Sequence, residues 1–268
     1  MNKNITFIGA GNMAEALISG FLRSGIVLKN RLTAADVRSG RLNFLKKKYG
    51  IRTEANNVVA VKGSDIIFLA VKPQQMETVL SGISSSVRRT QLVISLAAGI
   101  KTTFIEKFLN AAVVRSMPNT PALAGEGAIA ISKGRWASGK DMMTAEKLFS
   151  TVGIVVKVKE ELLNAVTALS GSGPAYIFYM AEAFEKAGMD MGLSEEVSRE
   201  LSSQTIYGAG KLLKQGNLKA SELRRLVTSP GGTTAAAISH FEKHEFLKIV
   251  KNALKEAKKR AGEISSPR

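Results

Sequence analysis

Three groups of residues in this 268-residue sequence have the types and spacing to do chemistry. The first is Gly9-Ala10-Gly11-Asn12-Met13-Ala14, a G-x-G-x-x-A run at the N-terminus. The first glycine permits a tight turn, the second lets backbone approach a ligand, and Ala14 is small enough for a helix to pack on a strand. N–H groups at the start of a helix attract anions, and this spacing suits a dinucleotide pyrophosphate. Gly9, Ala10, Gly11, Asn12 and Met13 are therefore candidate cofactor contacts. Asp36, about 22 residues beyond Ala14, stands where an acid would hydrogen-bond the adenosine ribose and favour NAD. Arg38, two residues on, could pair with a 2′-phosphate and favour NADP, so the choice between NADH and NADPH stays open.

The second group is Thr228-Ser229-Pro230-Gly231-Gly232-Thr233-Thr234. Its glycines expose backbone ahead of a helix, a site suited to a carboxylate. An ordinary loop and N-cap explain the same residues more simply. The third group is His240 and His244, on one helix face with Glu242 and Glu245 nearby. It lacks the His-Glu-x-x-His pattern and a third ligand on that face, so no metal is expected. With no cysteine in the chain, thiolate catalysis, disulfides and iron–sulfur clusters are excluded.

The elements that must position these groups fall into two kinds. Ile5–Ile8, Leu32–Ala35, Ile66–Val71, Leu92–Leu96 and Val113–Ser116 read as near-continuous apolar strands. Helical stretches near Asn12–Arg23, Gly40–Tyr49, Gln75–Gly82 and Thr102–Phe108 alternate with them. That alternation predicts an α/β domain, a mostly parallel sheet with helices on both faces. Two more β-like runs, Ala128–Ile131 and Ile154–Val158, flank a helix around Lys140–Thr151. After about Glu160 only helix signals follow, at Ala175–Ala187, Glu195–Leu213, Ser221–Val227 and Thr234–Gly262. The expected division is residues 1–160, a Rossmann-like dinucleotide-binding domain, and 161–268, an all-helical domain.

A formal net charge of +16 raises nucleic acid as a partner. The lysines instead decorate helix faces, as at Lys248, Lys251, Lys255 and Lys258 beside the apolar stripe Phe246, Ile249, Val250 and Ala253. With 6% aromatic residues for base stacking and no binding motif, nucleic acid is a weak reading. No apolar run reaches the ~18 residues of a membrane span, and the N-terminus makes a poor signal peptide, so a cytoplasmic protein is the default expectation.

Several segments together resemble pyrroline-5-carboxylate reductase. They are the GAGNMA loop, Val71-Lys72-Pro73, Ala97-Ala98-Gly99, Met117–Pro121, Leu169–Tyr176 (LSGSGPAY) and Leu223–Ala236 (LRRLVTSPGGTTAA). The resemblance covers nearly the whole chain and rests most on SGSGPAY and VTSPGGTT. It implies reduction of the cyclic imine 1-pyrroline-5-carboxylate to L-proline by NADPH or NADH, and a homo-oligomer built on a dimer with interlocked helical domains. It implies that Gly232, Thr233 and Thr234 contact substrate, with the Thr234 hydroxyl nearest the ring nitrogen, and that Glu160 does so at the domain boundary. It assigns Asn57, Val71, Lys72, Pro73, Ala97 and Gly99 to the cofactor. Leu226 stands where some members carry a polar ligand contact. A β-hydroxyacid dehydrogenase relative is the alternative. Such enzymes use a lysine early in the helical domain, whereas the first lysine after SGSGPAY is Lys186.

Overall fold

The computed structural model describes residues 1–216 and 218–265. Asn217 and residues 266–268, within the expected helical half, lie outside the described residues. Eight strands carry the first half of the chain: β1 (Ile5–Ile8), β2 (Leu32–Ala35), β3 (Arg52–Glu54), β4 (Ile66–Leu69), β5 (Leu92–Ser95), β6 (Ala112–Met117), β7 (Gly127–Lys133) and β8 (Gly153–Lys157). Between them run α1 (Asn12–Arg23), α2 (Ser39–Tyr49), α3 (Asn57–Lys62), α4 (Met76–Ile83), α5 (Thr102–Ile105) and α6 (Gly139–Phe149). After β8 come α7 (Leu163–Val166), α8 (Gly173–Asp190), α9 (Glu195–Gln215), α10 (Ala220–Leu226), α11 (Thr233–Lys243) and α12 (Phe246–Ser265). Contacts divide the chain into two compact units: Met1–Ser172 with the residues from Ala257 on, and Gly173–Glu256.

The first unit is one sheet of order β3-β2-β1-β4-β5-β6-β7-β8. Neighbours from β3 to β6 are parallel, β7 runs antiparallel to β6, and β8 is parallel to β7. All four residues of β1, β4 and β5 are buried, because helices cover both faces. Alternation along each strand sends Phe7 and Phe68 to one face, where they meet Leu17 and Phe21 of α1 and Phe149 of α6. Ile8, Ile67 and Leu69 point to the other, against Val61 of α3, Leu80 of α4 and Ile105 of α5. The Phe7 and Phe68 rings stack at 4.6 Å. Helix α1 joins this core through Ala14, Leu17, Ile18 and Phe21, an apolar stripe at helical spacing.

β3, α3 and the four-residue α7 were not anticipated. β3 is three residues with no apolar alternation, and α3 is a single six-residue segment. The Asn56 side chain starts α3 by accepting from the Val58 and Val59 N–H groups.

The second unit contains α8 to α11 and most of α12. The expected single helix over Thr234–Gly262 is two helices, α11 and α12, separated at His244 and Glu245. Glu245 takes φ 52°, and its carbonyl accepts from the Lys248 and Ile249 N–H groups, so the next helix begins there. The buried residues of α8 and α9 are Pro174, Gly188, Ser198 and Ser202, and α10 and α11 bury none. Ile177, Phe178, Tyr179, Leu201 and Tyr207 are all more than half exposed. Helices this apolar on their outer faces do not form a closed core within one chain.

Candidate active site

Because β1 to β5 run parallel, the segments that follow them leave from one edge of the sheet. The strand order reverses between β1 and β4, and in open sheets a dinucleotide lies across that point. Gly9 makes the first turn with φ 93°, and a Cβ there would stand 2.7 Å from the Ala70 carbonyl oxygen. Only glycine satisfies both conditions. Gly11 begins α1 with no side-chain cap, and a Cβ on it would meet nothing within 4 Å. Open space over an uncapped helix start fits a pyrophosphate.

Glu15, in the first turn of α1, would oppose that anion if its charge were free. It is engaged by Arg41, by Lys48 (2.9 Å) and by the Tyr49 hydroxyl (2.9 Å). Burial works to raise its pKa, but these three donors win and hold the carboxyl at about 2. Arg41 also donates through Nε to the Ala10 carbonyl, 2.5 Å, so one guanidinium both neutralises the acid and braces the loop.

Asp36, expected to face a ribose, is turned onto the protein. Its Oδ2 accepts from the Ala10 N–H at 2.8 Å, and Arg38 closes a two-point ion pair on it with both contacts at 2.9 Å. Those bonds from Arg38, opposed by burial and helped by the backbone N–H groups of Ala10 and Arg38, bring its pKa to about 2. Val71 backs Gly9 in the next loop, and Lys72 and Pro73 open a tight turn there. Asn57 is the first residue of α3. After β5, Ala97 is buried, and Gly99 takes φ 79° with Ile264 of α12 against it. The edge thus gathers every residue expected to hold cofactor.

Glu160 follows β8. Its Oε1 accepts from the Thr102 N–H (2.7 Å) and from Arg115 (3.3 Å), and its Oε2 from the Thr102 hydroxyl (2.8 Å). Arg115 is 4% exposed; burial lowers its pKa, against the opposing pull of Glu160. Neither Thr102 nor Arg115 was singled out in the sequence. A lone arginine inside the apolar run Val113–Met117 was the available signal, since a strand buried on both faces must pair such a charge.

Gly232, Thr233 and Thr234 belong to the second unit. Gly231 turns the chain at φ 72°, the Gly232 N–H donates to the Ser229 carbonyl at 3.1 Å, and Gly232 begins α11 without a side-chain cap. No side chain caps α11, as none caps α2, α4 or α5. His244 meets the His240 carbonyl through its ring at 3.0 Å. Lys186, the residue an alternative enzyme type would need nearer the start of α8, pairs with Glu182 at 2.7 Å.

A sheet with the glycine turn and switch point of a dinucleotide-binding fold, followed by a helical unit, is the plan of a two-part nicotinamide-dependent oxidoreductase. The profile described as pyrroline-5-carboxylate reductase dimerisation matches residues 160–264, and one described as NADP oxidoreductase, coenzyme F420-dependent, matches residues 4–99. The pyrroline-5-carboxylate reductase of Methanosarcina acetivorans is 40% identical over 265 residues, 98% of each chain. Pyrroline-5-carboxylate reductase 1 of Bacillus subtilis is 38% identical over 98% of this chain and 90% of its own. The Coxiella burnetii structure superposes with TM-score 0.93 at 37% identity, covering all of both chains. A Plasmodium falciparum pyrroline carboxylate reductase with NADP bound gives 0.89 at 31% identity over 99% of each. This chain belongs to the pyrroline-5-carboxylate reductase family. The β-hydroxyacid dehydrogenase alternative finds no support among these relatives. Membership accounts for the exposed apolar faces of the second unit, which are those of a dimerisation domain. No helix among the described residues is long and apolar enough to cross a membrane.

Proposed function

We propose that this chain reduces 1-pyrroline-5-carboxylate to L-proline with NADPH or NADH, as a homo-oligomer, in the cytoplasm. The observation that carries the substrate assignment is the start of α11, opened by Gly231 and Gly232 without a side-chain cap, as α1 starts at Gly11. One helix start suits a pyrophosphate and the other a carboxylate. The family's names supply the imine that carries that carboxylate. A cysteine-free chain suits a reducing compartment.

Residues 1–160 take the cofactor role in this reading, with Gly9, Ala10, Gly11, Asn12 and Met13 at the pyrophosphate. Asp36, Asn57, Val71, Lys72, Pro73, Ala97 and Gly99 shape the rest of that edge. Residues 161–268 take substrate and dimerisation. Gly232, Thr233 and Thr234 hold the substrate carboxylate, which fixes the orientation of the ring. Glu160, in the first unit, keeps the substrate contact that the resemblance implies. When bound, the reduced nicotinamide supplies the hydride. A protonated imine is already a strong electrophile, so the protein contributes position more than acid–base power. The Thr234 hydroxyl stands to hydrogen-bond the ring nitrogen, where the proton is kept or gained. The test is oxidation of NADPH and of NADH, run side by side, by the purified protein with pyrroline-5-carboxylate; the control is reduction of NAD+ and NADP+ with 3-hydroxy acids. Turnover with the imine alone is expected; turnover with 3-hydroxy acids alone would overturn the reading.

A further inference from the structure

Glu160 lies 58 residues from Thr102 in the chain and 45 from Arg115, yet its carboxylate joins them. Thr102 is the first residue of α5, the helix that ends the segment leaving β5. That segment, residues 96–101, flanks the switch point on the side opposite β2 and β3. A pyrophosphate on the β1 turn puts the adenosine toward β2, so the nicotinamide lies toward β4 and β5. Two strand spacings, ~10 Å, separate β1 from β5, within reach of one dinucleotide.

The segment is pinned at two points. Gly99, at φ 79°, is backed by Ile264 of α12, where a Cβ would be 2.9 Å from the Ile264 Cγ2. At its far end Thr102 gives Glu160 both its N–H and its hydroxyl. Thr102 and Arg115 are 3% and 4% exposed, so this junction is fixed inside the first unit. Three of the carboxylate's four or so acceptor positions are taken by Thr102 and Arg115, and one on Oε2 stays open.

We propose that Glu160 is a positioning residue for the cofactor: through Thr102 it sets the β5–α5 segment that forms the nicotinamide side of the cleft. Arg115 holds the carboxylate in place from β6. The proposal rests on the reading of this edge as a nicotinamide cleft. The role is additional to the substrate contact that the resemblance implies for Glu160. Charge is needed on Glu160 because it is the ion-pair partner of a buried guanidinium.

The test uses full-length E160A, T102V and the double variant. NADPH affinity is read by direct calorimetric titration, and the KM for pyrroline-5-carboxylate is read at saturating NADPH. E160A is expected to weaken NADPH binding about tenfold and T102V about threefold, the sizes that lost hydrogen bonds to a charged and a neutral group give. The double variant should be no weaker than E160A, since both act through one junction. In T102V, at a residue given no substrate role, the KM for pyrroline-5-carboxylate should stay within about twofold of the parent. Should E160A fail to fold, T102V decides alone. A large rise in substrate KM with NADPH affinity unchanged would overturn the proposal, and so would unchanged NADPH affinity in T102V. A parent protein that binds NADPH but turns over no imine would contradict the proposed function instead, leaving the titration to decide the role of Glu160.

Discussion

Arg38 lays its guanidinium across both oxygens of Asp36 while the Ala10 N–H takes a further bond to Oδ2. The acid at the end of β2 therefore faces the glycine loop, and its charge is answered before any ribose arrives. Asp36 acts as a strut of the loop, and Arg38, with 63% of its side chain exposed, is the charge that solvent and ligand meet. Asp36→Ala is expected to weaken NADH and NADPH alike, by about tenfold, because it frees the Ala10 N–H and the loop together. Arg38→Ala should weaken NADPH more than NADH, since it removes the cation nearest β2 and uncovers the carboxylate. Calorimetric titration of both cofactors against both variants checks this. A gain in NADPH affinity in Asp36→Ala would mean that the acid had been repelling the 2′-phosphate.

Acid sensitivity follows from the same residues. Asp36 and Glu15 are each held at about 2, below their ordinary values of 3.8 and 4.5. For a depressed carboxyl, the stabilisation is complete above the unfolded pKa and is lost as pH falls through the folded one. The window is therefore from about pH 4.5 down to 2, with each group contributing on the order of 2 kcal/mol when fully charged. Asp36→Asn should flatten the dependence of denaturation midpoint on pH within that window. An unchanged slope would show the pairing to be worth nothing in solution.

Thr234 is a neutral hydroxyl and a poor acid. Thr234→Ala is expected to lower kcat/KM by roughly 10–100-fold without abolishing turnover, the range for one positioned hydrogen bond in a transition state. Steady-state rates at saturating cofactor measure it. Full kcat/KM in this variant would remove the hydroxyl from the mechanism.

Gly9→Ala asks for a side chain at φ 93° and within 2.7 Å of the Ala70 carbonyl oxygen. The strain alone costs about 1–3 kcal/mol, and relieving the contact must part the β1 turn from β4. A lower thermal midpoint together with lost cofactor binding is the expected outcome. Gly11→Ala, with nothing within 4 Å of an added Cβ, should keep the midpoint and lose affinity if the proposed pyrophosphate takes that space. Equal melting losses in the two variants would contradict this division of roles.

The strand–helix alternation was legible because strands such as Ile66–Leu69 are buried on both faces and so are apolar without interruption. β3 was not, since Arg52, Thr53 and Glu54 pair only along an outer strand and need no apolar pattern. The break at Glu245 carries no glycine or proline, and periodicity runs straight through it. Gly9 and Gly11 could be placed from spacing, because turn geometry is local. The turn of Asp36 onto Ala10, the brace from Arg41 and the grip of Glu160 on Thr102 join residues 26 or more apart. Such pairs are fixed by the sheet order, and spacing along the chain does not reveal them. The loop at Gly232 lay between, its local pattern fitting both a cap and an anion site; the structure shows no capping side chain there.

The most direct measurement follows the hydride itself. Pyrroline-5-carboxylate is incubated with the purified protein and NADPH carrying deuterium at the transferred position of the nicotinamide, and the proline formed is analysed by mass and by NMR. One deuterium on the ring carbon bonded to nitrogen and remote from the carboxylate is the predicted result. Proline without label, or no proline while cofactor is bound, would contradict imine reduction by this chain.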